Sequence, residues 1–231
     1  MKNTAILLLV LLTWVVFTSC GEKGSEVTII EREIRREKPN GSIPEMIDCK
    51  YPQVTGLKDV KVQSRINTLI YSKAFEHERR ALVDMSLEKN HRGKSLRYLS
   101  EYKITNNLNK NLVSIRFNES AFISGSAHPN DEIKSITIDL RDGKVYRLKD
   151  LFTENSDYRS RMDKFIHEEI QKKGLQLLKG FEGIEEEQDF YITDEEIVVY
   201  YQEYVYTPHS YGALVFSIPR SLVSDIIKPV I

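Results

Sequence analysis

Two of the five histidines stand among residues that force turns. His128 lies in Gly125-Ser126-Ala127-His128-Pro129-Asn130, and His209 in Tyr206-Thr207-Pro208-His209-Ser210-Tyr211-Gly212. Each sits at the end of a long run that reads as a strand. If the loops converge, they bring two imidazoles together with the phenols of Tyr206 and Tyr211. Such a cluster suits an anionic or sugar-like ligand, held by polar tips and ring faces. An imidazole there could also act as a general base, provided it reaches the proton it removes. The same residues have a plainer explanation. Pro129, Pro208, Gly125 and Gly212 shape turns, and the histidines then satisfy backbone groups. Both readings stay open on sequence alone. The candidate ligand-binding set is His128, His209, Tyr206 and Tyr211.

Other chemistries find less support. A zinc site needs three or four placed ligands. No His-x-x-x-His pair occurs, and His167-Glu168-Glu169 offers a single imidazole, so no metal or other cofactor is expected. Ser124, Ser126 and Ser210 lie near histidines, but no Gly-x-Ser-x-Gly elbow accompanies them. No catalytic residue is assigned. Glu185, Glu186 and Glu187 read as a solvated loop, on which a positively charged partner could dock. With 33 basic and 34 acidic residues the net charge is -1, so no global field favours nucleic acid.

Cys20 carries the address. Lys2 gives a short basic start, residues 5–17 are apolar except for Thr13, and Phe17-Thr18-Ser19-Cys20 resembles a lipobox. The apolar run falls short of the roughly 20 residues a membrane-spanning helix needs and suits the core of a signal peptide. Residues 1–19 are therefore expected to be a lipoprotein signal, and 20–26 a lipidated cysteine and polar tether. The body is then held to a membrane on its extracytoplasmic side. Uncleaved anchoring or plain secretion would also place it outside the cytoplasm. With Cys20 acylated, the second of two cysteines has no disulfide partner. Cys49 alternates with Ile47 and Tyr51, which puts its thiol on the apolar face of a strand as a small buried hydrophobe.

The elements that must position these residues follow from hydrophobic period. Residues 27–38 mix Glu and Arg with Val27, Ile29, Ile30 and Ile34, as an exposed or edge strand does. A break at Pro39-Asn40-Gly41 precedes a strand over 46–51. Residues 57–90 read mainly as helix, with Val62, Ile66, Leu69, Ile70, Phe75, Leu82 and Met85 on one stripe. On it, Glu76-His77-Glu78-Arg79-Arg80 reads as a solvated face of intrahelical pairs. Alternation predicts strands over 96–105, 112–123 and 132–140, and Asp142-Gly143 marks a hairpin into 144–148. Residues 155–173 give the clearest helix, stopped at Gly174. Strands follow over 190–192, 197–206 and 213–218, then a short helix over 221–227. Of 12 tyrosines, Tyr200, Tyr204 and Tyr206 would share one face of the 197–206 strand, as a binding surface or a half-buried sheet face. The class is α+β: twisted antiparallel sheets packed by two main helices and a short C-terminal helix.

Four ordered motifs carry a resemblance. Tyr51-Pro52-Gln53-Val54-Thr55-Gly56-Leu57 with Val62-Gln63-Ser64-Arg65-Ile66-Asn67 comes first, and Gly125-Ser126-Ala127-His128-Pro129-Asn130 second. Asp142-Gly143-Lys144-Val145-Tyr146-Arg147-Leu148-Lys149-Asp150-Leu151-Phe152 is third. Tyr206-Thr207-Pro208-His209-Ser210-Tyr211-Gly212 with Phe216-Ser217-Ile218-Pro219 closes the set. Together they resemble the outer domain of lysozyme-sensing anti-sigma factors of the RsiV type. They also resemble the module that precedes the catalytic domain of the peptidoglycan deacetylase PdaC. The resemblance implies a PdaC-like part over 27–110 and an RsiV-like part over 111–231, packed as one globular unit. It implies an extracytoplasmic binding module for a lysozyme-like protein or a cell-wall glycan. With little sequence before the apolar segment and an end at Ile231, neither a sigma-binding part nor a deacetylase domain is expected. The alternatives are a cell-wall hydrolase using His128 or His209 as base, and a structural envelope lipoprotein.

Overall fold

The computed structural model describes residues 27–38, 45–87, 93–106 and 111–229. The leader, Cys20 and the tether lie outside the described residues. The order is β1 (Thr28–Lys38), β2 (Glu45–Thr55), α1 (Val60–Ala74), α2 (Glu76–Leu87), β3 (Leu96–Ile104), β4 (Leu112–Ile123), β5 (Asn130–Asp139), α3 (Tyr158–Lys173), β6 (Phe190–Ile192), β7 (Glu196–Tyr201) and β8 (Leu214–Pro219). The fold is α+β. Strands β1 to β5 form one sheet in sequence order, and β6 to β8 a second. The chain divides into two compact units. Of the described residues, one holds those up to Tyr102 with Phe117–Lys134, and the other holds those of Lys103–Arg116 with those from Ser135 on. Residue 110, where the PdaC-like and RsiV-like parts were expected to meet, lies outside the described residues.

In the first unit, β1 pairs antiparallel with β2 from Thr28↔Thr55 to Lys38↔Glu45 and forms an edge of its sheet. Strand β2 pairs parallel with β3, which departs from the expected antiparallel arrangement. The reason is topological. Helices α1 and α2 intervene, and a crossover of that length returns the chain in the same direction. The Asp59 side chain caps α1, accepting the amides of Lys61 and Val62. Asn67 then docks α1 on β2, donating to the Val54 carbonyl at 2.9 Å and accepting the Val54 amide at 2.8 Å. Helix α1 ends at Phe75, so residues 57–90 hold two helices rather than one continuous rod. Phe75 stays in the core, packed on Tyr51, Tyr71 and Tyr98. Cys49 is buried, and burial pushes its thiol far above the ordinary range, so it packs as a small hydrophobe.

The break between α1 and α2 corrects one expectation. His77 and Glu78 are buried, not on a solvated face. Glu78 pairs with Arg36 of β1 at 2.8 Å, a partner distant in sequence.

In the second unit, α3 ends where Gly174 adopts φ 60, and its amide closes the last turn on Ile170 and Gln171. Met162 and Ile166 face a core that includes Phe152, Phe190, Tyr201, Tyr206 and Phe216. Ser114 joins β4 to its surroundings. Its Oγ accepts the Ile192 amide at 3.1 Å and lies 2.9 Å from Thr137 Oγ1. Residues 144–148 make a single bridge, Ile138↔Val145, in place of the expected strand. The expected C-terminal helix is a single 3-10 turn, Arg220–Val223.

Candidate functional site

Strand β7 stops at Tyr201, five residues before the expected end. The apolar alternation runs on to Tyr206, but the backbone turns. The Tyr204 amide donates to the Thr207 carbonyl at 2.7 Å, closing a tight loop. Tyr204 takes φ 67, in the left-handed region that bulky side chains rarely enter. Two further turns follow. The Tyr211 amide reaches the Pro208 carbonyl at 2.9 Å, and the Gly212 amide reaches the His209 carbonyl at 3.0 Å. The Thr207 hydroxyl ties the loop shut by donating to the Gly212 carbonyl at 2.6 Å. Gly212 sits at φ 77, which explains a glycine at that position.

This geometry separates the three tyrosines that strand periodicity placed together. Tyr206 turns inward, is 2% exposed, and accepts the Glu182 amide through its hydroxyl. As a core residue stacked edge-on with Tyr201, it offers no ring face to a ligand. Tyr200 is buried on β7, with its hydroxyl 2.8 Å from Ser135 Oγ. Tyr204 alone of the three points out, 57% exposed.

His209 is held by a group that sequence reading passed over. Glu203 is buried, and its Oε2 lies 2.7 Å from His209 Nδ1. That contact fixes the orientation of the imidazole ring. The ring of Tyr204 stacks on the imidazole at 6.3 Å and 13° between planes. Tyr211, 54% exposed, stands on the same loop. It borders an open cavity of about 310 Å³ lined by Thr207, Pro208, Ser210, Tyr211 and residues 174–177. Leu178, also exposed, is tied to this loop by its amide, which donates to the Tyr206 carbonyl. The loop therefore offers two exposed phenol rings, an oriented imidazole and an adjoining concavity. Ring faces and a few directed hydrogen bonds are the means by which ligand sites in general hold what they bind.

His128 behaves differently. It is exposed in the first unit, and its Nδ1 donates to the Pro129 carbonyl at 2.8 Å. His209 belongs to the second unit. Each imidazole is thus positioned by its own local partner. Among the described residues, no three His, Cys, Asp or Glu side chains converge to hold a metal ion. The acidic loop is partly neutralised, with Glu186 on Lys149 at 2.9 Å and Glu187 on Arg147 at 3.4 Å. Among the described residues, no helix is long and apolar enough to cross a membrane. The signal for Glu203 lay in its place, six residues before His209 and just past β7. Its burial depends on a turn that alternation does not reveal.

Comparison with known proteins finds two family matches in this chain. Residues 42–131 match the family described as Deacetylase PdaC, and residues 149–221 match one described as a protein of unknown function, DUF3298. The anti-sigma-V factor RsiV of Bacillus subtilis (strain 168) is 28% identical over 211 residues, spanning 84% of this chain and 68% of that protein. Two solved structures of the DUF3298 family share the fold at 16% identity. One, from Bacteroides fragilis, has a TM-score of 0.58 and covers 88% of this chain and 94% of its own. The other, from Pseudomonas aeruginosa, has a TM-score of 0.62, with 87% and 94% covered.

Proposed function

We propose that this chain, a homologue of the anti-sigma factor RsiV that joins a PdaC region to a DUF3298 region, is a lipid-anchored, non-catalytic binding module of the bacterial cell envelope. Its recognition element is the loop 202–212 of the second unit. One observation carries the reading: Tyr204 is held in a costly backbone conformation while its ring lies largely in solvent. Strain of that kind persists where surrounding structure enforces it, and it gathers at functional sites. Here the enforcing contacts are the Tyr204–Thr207 hydrogen bond and the stack on an imidazole fixed by Glu203.

The ligand is a lysozyme-like protein or a cell-wall glycan. Exposed tyrosines bordering a shallow concavity serve either one, because aromatic anchors concentrate binding energy in protein interfaces and also stack on sugar rings. The membrane link is an acyl chain on Cys20, after removal of residues 1–19. One chain alone gives marginal, reversible membrane binding, so a second acyl chain or a basic patch is needed for stable anchoring.

The test is direct titration of the exported chain with lysozyme and, separately, with soluble peptidoglycan fragments. Binding to one of them, weakened at least about tenfold by Tyr211→Ala, is the expected result, since a central aromatic anchor is worth upwards of ~1.4 kcal/mol. No affinity for either removes the ligand assignment. For the anchor, intact mass of the membrane-extracted protein should show an acylated Cys20 at the new N-terminus, and Cys20→Ser should release the protein from membranes.

The Glu203–His209 contact favours a second reading, in which the oriented imidazole is the general base of a cell-wall hydrolase. That reading requires bond cleavage in peptidoglycan that is lost in His209→Gln, and binding without cleavage dismisses it.

A further inference from the structure

The interior of the first unit contains a polar centre that the binding loop does not use. His77 of α2 is 1% exposed and Glu119 of β4 is 2% exposed. Beside them lie Tyr98 and Ser100 of β3 and Cys49 of β2, all buried. His77 Nδ1 stands 3.8 Å from Glu119 Oε2, and its Nε2 stands 3.7 Å from Glu132 Oε1. Asn130 Nδ2 lies 3.3 Å from Nε2. Yet His77 Nδ1, both oxygens of Glu119 and the Ser100 hydroxyl oxygen make no hydrogen bond.

The charges around this centre decide which form of Glu119 is stable. From α2 it faces His77 and Glu76, from β3 Tyr98, from β2 Cys49, and from β5 Glu132 and Lys134. The cations nearby are engaged by other carboxylates. Lys134 lies 3.0 Å from Glu132 and 3.5 Å from Glu76, and Arg80 also pairs with Glu132. His77 faces Arg80, Lys134, Glu132 and Asp131. An ionised Glu119 would therefore sit in a buried site beside two like charges, with the nearby Lys134 shared by Glu132 and Glu76. A buried charge in that condition takes up a proton instead.

We infer that Glu119 and His77 hold a single proton between them in the folded first unit, and that losing it as the pH rises loosens that unit. Burial pushes the Glu119 carboxyl up to about 8 from an ordinary 4.5. Burial also pulls His77 below its ordinary 6.5. The raised group favours the folded state fully below its unfolded value, and that advantage is lost as pH climbs through the folded value. The depressed imidazole acts the other way, favouring the folded state above 6.5 and losing that advantage on acidification. Between the two ordinary values, 4.5 and 6.5, the trends oppose each other. From 6.5 to about 8 the folded pair keeps a proton that the unfolded chain has released, so stability falls across that window. Ambient pH outside a cell varies, so a body on that side would meet the window.

Hydrogen exchange on the full chain tests this, with rates corrected for the intrinsic pH dependence. Peptides from β2, α2 and residues 117–123 should show opening constants that rise with pH above about 6.5, reaching roughly tenfold by pH 8. Peptides from α3 and β7 of the second unit should not follow that rise. In Glu119→Gln the rise should vanish. A wild type with no rise, or a Glu119→Gln chain with an unchanged one, overturns the inference. If Glu119→Gln does not fold, carboxyl-carbon NMR of Glu119 in the wild type decides. A midpoint near 8 supports the shared proton, and one near 4.5 refutes it.

Discussion

Replacing Tyr204 by glycine and, separately, by alanine isolates the strain on which the binding-loop argument rests. Both substitutions remove the same ring, so the lost burial and the lost stack on His209 cancel in the comparison. What remains is the backbone at φ 67. A residue with a Cβ pays roughly 1–2 kcal/mol in that region, and glycine does not. Glycine loses about 0.4–1 kcal/mol through the greater freedom of its unfolded chain. The balance leaves Tyr204→Gly more stable than Tyr204→Ala by about 0.5–1 kcal/mol. In a body of this size the gap appears as roughly 1–4 °C in Tm. The order is the reverse of that in ordinary helix or strand positions, where alanine is the better residue by a similar margin. Thermal unfolding by circular dichroism reads the stability, and titration calorimetry reads the ligand. Both variants should lose affinity to the same extent, by about tenfold or more, while Tyr204→Phe keeps most of it. An alanine variant as stable as the glycine variant would refute the strain. Unchanged affinity in both would refute the ring's role in recognition.

Two predictions concern the scaffold. Gly174→Ala meets open space, so its cost comes from the left-handed backbone alone and should be about 1 kcal/mol by thermal unfolding. Ser114→Ala strips the Ile192 amide of its acceptor inside the second unit and should cost about 1–3 kcal/mol in chemical denaturation.

Much of the scaffold was legible because its signals are local. Alternation located every strand of the five-stranded sheet, and the mixed charges of β1 marked it as an edge. Helix α3 and its stop at Gly174 followed from period and cap. The alternation of Cys49 with Ile47 told which way its thiol faces, and it is buried. The failures have one physical origin, since each depends on residues far apart in the chain. Residues 76–80 look solvated because the helix is charged, yet Arg36 of β1 and Glu132 of β5 reach them across the fold. The parallel pairing of β2 with β3 is set by where the helical crossover delivers the chain. Of the candidate residues, His209 and Tyr211 stand on the turns that the prolines and glycines of the motif marked. Tyr206 went to the core because β7 ends early, and Glu203 and Tyr204 gained their roles from that same turn. His128 is exposed, with its Nδ1 bonded to the Pro129 carbonyl.

We propose that the loop 202–212 is the recognition face of an envelope-bound module. Hydrogen-exchange footprinting of the full chain, with and without saturating lysozyme or peptidoglycan fragments, tests it most directly. One of these ligands should slow exchange in 202–212 and in the adjoining segment 174–178. Protection confined to other segments, with this loop unchanged by a ligand that demonstrably binds, would contradict it.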